Sequence, residues 1–199
     1  MTSEKFKTIE LFGGAIIAEI PATFTDVSKI RQVPDNQEVY LDTEGFSSIV
    51  FEILERVEIE KGNDDDDDVE ALKYHLSDIV DEDAGHTILY NTGSAYLSKM
   101  PNTTAVTLLA TSPPGEKQRG RPNEPDFVGI LLILVRLEEQ KTDIVIAINV
   151  PHLPGSYVKE DVDPAAGKYG NLLEAGKVVK EKVLESFEIK DWGLFVQED

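Results

Sequence analysis

Residues 127–150 read FVGILLILVRLEEQKTDIVIAINV, and this stretch decides the fold. Two apolar, β-branched runs, Phe127 to Leu137 and Ile144 to Val150, flank the short polar stretch Glu138 to Asp143, which predicts a β-hairpin. From 128 to 135 every position is apolar apart from Gly129, so both faces of that strand must be covered. Two amphipathic segments are available as covers. Leu172, Gly176, Val179, Val183 and Phe187 recur at three- and four-residue steps, with Leu173 and Leu184 widening the stripe, and predict a helix over about Asn171 to Phe187. Val69, Leu72, Leu76, Ile79 and Val80 do the same for a helix that comes after an acidic loop, Glu60 to Asp68.

Further strands are expected at Leu11 to Ile20, Glu38 to Leu41, Ser48 to Val57, His86 to Tyr96 and Thr104 to Thr111. The first is interrupted by Gly13-Gly14, a pair that permits a bulge or a tight turn, and is ended by Pro21. Thr25 to Arg31 reads as a turn or a single helical turn, with Asp26 as its N-cap. The expected architecture is an α/β sandwich of the α+β type: a central antiparallel β-sheet of about six strands flanked by α-helices. One domain spans residues 1–199, with mobile loops near 60–68, 112–125 and 152–170, where proline, glycine and charge concentrate.

Composition narrows what such a domain does. Hydrophobic residues make up 41% of the chain, enough to fold without staples, and there is no cysteine. That excludes disulfides, thiolate nucleophiles and Cys-ligated zinc, and fits a reducing compartment. Met1 to Thr8 is polar, without the apolar stretch of a secretory signal, and the apolar run Phe127 to Val135 is about half of what a membrane span needs. Thirty-eight acidic residues against nineteen basic ones give a formal charge of −19. Such a surface repels nucleic acid and anionic lipid and speeds encounter with basic protein surfaces. Neither nucleic acid nor membrane is an expected partner.

Catalytic patterns are missing from the sequence. Gly13-Gly14 is not succeeded by the Lys-Ser or Lys-Thr of a phosphate loop, and there is no G-x-S-x-G elbow. His75, His86 and His152 lie far apart, without metal-ligand spacing. An EF-hand starting at Asp64 would need glycine and glutamate where the chain has Val69 and His75. Asp35, Glu38 and Asp42 cluster, but Val33-Pro34-Asp35-Asn36 reads as a turn, and carboxylates on an exposed turn keep ordinary pKa values. No cofactor is expected. Binding uses these acids better than catalysis does.

The block Leu11-Phe12-Gly13-Gly14-Ala15-Ile16, Ile20-Pro21, Asp26-Val27-Ser28, Arg31 and Val33-Pro34-Asp35-Asn36-Gln37-Glu38-Val39-Tyr40 resembles the Mog family, the Ran guanine-nucleotide release factors. The likeness continues at Ile49 to Glu55, Tyr74-His75, Arg136-Leu137, Thr142-Asp143 and Asn149-Val150-Pro151. The aspartate run and the loops 112–125 and 152–170 have no counterpart in it. The resemblance implies a fold shared with the PsbP proteins, binding to the small GTPase Ran, release of its nucleotide in concert with a Ran-binding protein, support of nuclear protein import, and residence in nucleus and cytoplasm. It implies a non-enzymatic role. On this block the expected partner-binding residues are Asp26, Arg31, Asp35, Gln37, Glu38, Asp42 and Glu44, the acids pairing with basic residues of Ran. Arg31 serves equally well as an internal brace for the acidic turn. The rival reading is a generic acidic protein-binding module without preference for Ran.

Overall fold

The hairpin is the centre of the molecule. The structure is a computed structural model that describes residues 5–28, 32–59 and 67–196. In chain order its strands are β1 (Phe6–Leu11), β2 (Ile16–Pro21), β3 (Phe24–Asp26), β4 (Gln37–Asp42), β5 (Ser48–Glu55), β6 (Ile88–Ala95), β7 (Thr104–Ser112), β8 (Phe127–Leu137), β9 (Thr142–His152) and β10 (Glu188–Ile189). The helices are α1 (Asp67–Val80) and α2 (Gly170–Ser186). Seven strands form one antiparallel sheet in the order β3-β4-β5-β9-β8-β7-β6, and β1, β2 and β10 form a second sheet with β2 in the middle.

Pairing of β8 with β9 runs unbroken from Phe127 opposite His152 to Leu137 opposite Thr142. Alternation then sorts the hairpin's side chains onto two cores. Ile130, Leu132 and Leu134, with Val145 and Ala147, pack under Ala71, Leu72 and Leu76 of α1. Leu131, Ile133 and Val135, with Ile144, Ile146 and Ile148, face Leu173, Val179 and Val183 of α2 and Ile16 and Ile20 of β2. Each fully buried aliphatic side chain contributes about 1.5–3 kcal/mol, so this one hairpin anchors both layers. Close approach of α2 is allowed by glycine: a Cβ at Gly129 would come within 2.5 Å of Leu173, and one at Gly176 within 2.9 Å of Leu131.

The expected sandwich is present: the sheet, expected to have about six strands, has seven, and a three-stranded sheet shares the α2 side. Strands β3 and β10 are three and two residues long, too short for a period to register. Gly13-Gly14 makes a turn, not a bulge. Phe12, Gly13 and Gly14 all have positive φ (50°, 69° and 89°) and reverse the chain between β1 and β2. Thr25 and Asp26 belong to β3 and not to a helical turn, because they pair with Leu41 and Tyr40. Asp26 still acts as a local cap at the end of that strand, accepting the Ser28 N–H at 2.8 Å. Asp67 and Asp68, the end of an aspartate run expected just before and in the first turn of the helix, form the first turn of α1, where the helix dipole favours them. The remainder of that loop, 60–66, lies outside the described residues.

At the end of β9, His152 is fully buried. Its ring stacks on Phe127 with centroids 4.1 Å apart and meets the Tyr157 ring edge-on at 4.8 Å. Nδ1–H donates to the Val150 carbonyl at 2.9 Å, and Nε2 has no hydrogen-bond partner among the described residues. Burial pushes the His152 pKa down from 6.5, against the opposing pull of the Val150 carbonyl and the Asp126 carboxylate. Above about pH 6.5 both folded and unfolded chains hold this histidine neutral, so it costs no stability there. As pH falls below that value the unfolded chain takes up a proton that the folded chain resists, and stability is lost until the folded pKa is reached. Urea unfolding between pH 7.5 and 5.5 is expected to show wild type losing stability relative to His152→Phe, by at most about 1.4 kcal/mol per pH unit. Parallel pH profiles for the two proteins would contradict the assignment.

Candidate functional site

Strand β4 carries three of the expected site residues, and strand geometry alone separates neighbours. Glu38, Tyr40 and Asp42 point toward the small sheet, whereas Gln37, Val39 and Leu41 point toward the α1 side, as their partners across β5 show: Phe51 opposite Glu38, and Glu52 opposite Gln37.

Glu38 is the most constrained of the set. Its Oε1 accepts the backbone N–H of Phe12, the non-glycine residue held at positive φ in the β1–β2 turn. A residue at φ 50° is strained unless its surroundings hold it, and Glu38 is one of those holds. The Glu38 carboxyl is half-buried, and burial raises its pKa above the ordinary value. The Phe12 N–H opposes that rise, the Asp26 carboxylate adds to it, and a hydrogen bond with Tyr40 opposes it again. Tyr40 responds in kind, its phenol pushed up chiefly by burial and then by the charges of Glu38 and Asp26. The expectation of ordinary pKa values therefore fails at Glu38. It lies inside a strand and under a turn, not on an exposed loop.

Asp26 pairs with Tyr40 across β3 and β4, which places it beside Glu38 on the same face. Asp35 lies exposed in the turn that leads into β4. That turn is closed by Gln37 N–H on the Pro34 carbonyl at 2.9 Å and tied to β5 by Asn36, whose amide donates to the Ile53 carbonyl at 3.0 Å. The structure thus sets Asp26 beside Glu38, which holds the Phe12 turn, on one face of β4, with Asp35 in the exposed turn that enters the strand. It does not bring the rest there. Gln37 is on the reverse face, its amide donating to Glu52 at 2.7 Å. Asp42 and Glu44 lie at the other end of the strand, roughly 17 Å from Gln37 by strand rise. Asp42 is occupied locally, accepting the Glu44 N–H at 3.1 Å. Arg31 lies outside the described residues.

A second polar group went unread in the sequence as chemistry. Arg136 and Asp143 face each other across β8 and β9, both buried. Arg136 Nε donates to Asp143 Oδ1 at 3.0 Å, and its Nη1 to Asp68 Oδ1 at 3.0 Å. Its Nη2 donates to the Val57 carbonyl. Asp143 Oδ2 accepts from His75 Nε2 at 2.9 Å and from the Val57 N–H at 3.0 Å. Burial works to raise the Asp143 pKa, but the bonds from His75 and Val57 and the charge of Arg136 outweigh it and hold the carboxyl below its usual value. The carboxylate is saturated by its partners, so this group clamps the start of α1 to the hairpin and to the chain after β5. Two charges set in otherwise apolar strands, in register across a predicted hairpin, were the available signal.

The chain resembles known proteins along most of its length. The family model described as Ran-interacting Mog1 protein matches residues 9–151. A Dictyostelium discoideum protein named probable Ran guanine nucleotide release factor is 31% identical, the match covering 98% of this chain and 98% of that protein. The nuclear import protein mog1 of Schizosaccharomyces pombe is 29% identical over 94% of this chain and 99% of its own length. Among solved structures, the crystal structure of the Saccharomyces cerevisiae Ran-binding protein Mog1p superposes with a TM-score of 0.73 at 27% identity, covering 98% of this chain and 100% of that one. The PsbP protein of the cyanobacterium Synechocystis, at 11% identity and a TM-score of 0.55, shares the fold.

Proposed function

The chain belongs to the Mog1 family of Ran-interacting proteins, and from that premise we propose that it binds the small GTPase Ran, promotes release of its guanine nucleotide and serves nuclear protein import. The observation that carries this reading is the family match over residues 9–151, which includes both the Phe12 turn and β4. The protein acts by binding and not by making or breaking bonds, in nucleus and cytoplasm, with a Ran-binding protein as the further member of the assembly.

Docking is through the Phe12-turn end of β4. Glu38 supplies a carboxylate already half desolvated and fixed by a backbone hydrogen bond, so less is lost in ordering it when a basic residue of Ran pairs with it. Asp26 reinforces the negative potential, and Asp35 extends it into the exposed turn. Gln37 meets Ran from the reverse face, and Asp42 and Glu44 contribute at the far end of the strand, where exposed acids affect encounter rate more than residence. Arg31 joins them in the partner-binding set.

Release is a consequence of linkage. If this protein weakens nucleotide on Ran by a given factor, nucleotide weakens this protein on Ran by the same factor. Fluorescent-nucleotide release from purified Ran is therefore expected to accelerate with added protein, in proportion to its occupancy of Ran, and to persist at about 0.15 M salt, where long-range attraction is screened beyond ~8 Å. An unchanged release rate at saturating protein would defeat the proposal. Equal binding to any basic protein would favour a generic acidic module instead.

A further inference from the structure

After β10 the chain carries an apolar segment that the core takes in only in part. Residues 192–196 read WGLFV, without a charge, in a sequence whose formal net charge is −19. Trp192–Phe195 form a single 3-10 turn. Phe195 packs on the core shared by the small sheet and α2, whereas Trp192, Leu194 and Val196 are 44%, 36% and 72% exposed. The Trp192 and Phe195 rings have centroids 6.1 Å apart, so the exposed indole is backed by a side chain that is anchored. The segment is held in one shape. Asp191 accepts the Gly193 N–H at 2.8 Å, and the N–H groups of Leu194 and Val196 donate to the carbonyls of Asp191 and Gly193.

Hydrogen bonds join this segment to the turn that Glu38 holds. The N–H groups of Lys190 and Asp191 both donate to the Ala15 carbonyl, at 2.8 and 3.1 Å. Ala15 N–H donates across the turn to the Phe12 carbonyl at 3.4 Å, and Phe12 N–H donates to Glu38. The β1–β2 turn therefore has the carboxylate at its first residue and the apolar segment at its last. Specific interfaces combine an apolar centre with a polar rim, and their strongest contacts are most often tryptophan, tyrosine or arginine. A contact already fixed in shape loses little on ordering. We propose that Trp192, with Leu194, is an apolar anchor of the Ran interface, seated in a hydrophobic recess of Ran beside the basic group that Glu38 meets. The inference rests on the Ran-binding reading and adds to it a contact from beyond residues 9–151 of the family match. The acids steer the approach, and the indole sets how long the complex lasts.

Two measurements test this. Trp192→Ala is expected to lower affinity for nucleotide-free Ran about tenfold, mostly through faster dissociation. The loss is expected to persist from about 0.15 M to about 1 M salt, because screening acts on charges and not on buried apolar surface. The control Ile88→Ala trims an exposed apolar side chain of β6, the edge strand across the hairpin from β4, and is expected to leave affinity unchanged. Equal affinities for the two variants would overturn the proposal. The second arm keeps the natural side chain and needs no variant. Trp192 is the sole tryptophan of the sequence, so labelling the full chain with fluorotryptophan gives one fluorine NMR signal. Unlabelled nucleotide-free Ran is expected to shift that signal and to shield it from a soluble paramagnetic probe. A signal that keeps its free position and its exposure in the complex would overturn the proposal while leaving the Ran reading intact. A shift that follows the concentration of this chain without Ran would assign the patch to a second copy and overturn it too. Wild-type protein that fails to bind Ran at all would overturn both readings together.

Discussion

Replacing Arg136 with alanine is expected to destabilise the fold by about 3–5 kcal/mol, more than any single surface change and a large share of an ordinary domain's stability. The guanidinium is buried and is bonded to two carboxylates and to the carbonyls of Val57 and Asp67. Its removal leaves Asp143 charged, fully buried and without its cation, which is the costly way to break such a pair. Lysine is not a substitute. A single ammonium cannot reproduce a planar fork that meets Asp143 from Nε and Asp68 from Nη1 at the same time, so Arg136→Lys is expected to recover only part of the loss. Urea denaturation monitored by circular dichroism measures both variants. A loss below about 1 kcal/mol for Arg136→Ala would mean that the group contributes little, as exposed ion pairs do. Because Asp68 and the Asp67 carbonyl belong to the first turn of α1, the same variant is expected to fray that helix end first, visible as faster amide exchange at its start.

What could be read from sequence tracks how strongly burial marks a pattern. The β8–β9 hairpin and α2 were legible because a strand buried on both faces has nearly every position apolar, and a helix on a sheet needs a regular stripe. Strands β1, β3 and β10 were legible poorly or not at all. β1 begins with Phe6-Lys7-Thr8, where Lys7 is spent on the Ala22 and Phe24 carbonyls, and β10 is held by tertiary contact with Ile16 and Ile17 instead of by any period of its own. The candidate site shows the same limit. Sequence proximity placed Gln37 and Glu38 together, but the two-residue period of a strand sends them to opposite faces. Glu38's half-buried carboxyl depends on Phe12, twenty-six positions away, and Asp143 depends on His75 and Val57, 68 and 86 positions away. No local window holds either relation.

Glu38→Lys is expected to weaken binding to nucleotide-free Ran by about 2 kcal/mol or more, roughly 30-fold, and to slow nucleotide release in step at subsaturating protein. Two effects add. The reversed charge meets the basic group on Ran that Glu38 is proposed to pair with, and the side chain can no longer accept the Phe12 N–H, so the left-handed turn loses one of its holds. Glu38→Gln separates them. The amide oxygen still accepts from Phe12 while the charge is gone, and relief from burial and from the neighbouring Asp26 carboxylate is expected to leave stability unchanged or slightly higher. Its binding loss therefore reports the charge alone. Asp35→Lys, on the exposed turn, is expected to cost only about 1 kcal/mol, carried by a slower and salt-dependent association. The order Glu38→Lys, then Glu38→Gln, then Asp35→Lys is the signature of a partly buried anchor flanked by steering charge. Equal losses at Glu38 and Asp35 that vanish at high salt would show instead that Ran senses only the field of an acidic surface, and that the Phe12 turn shapes the fold without shaping the interface.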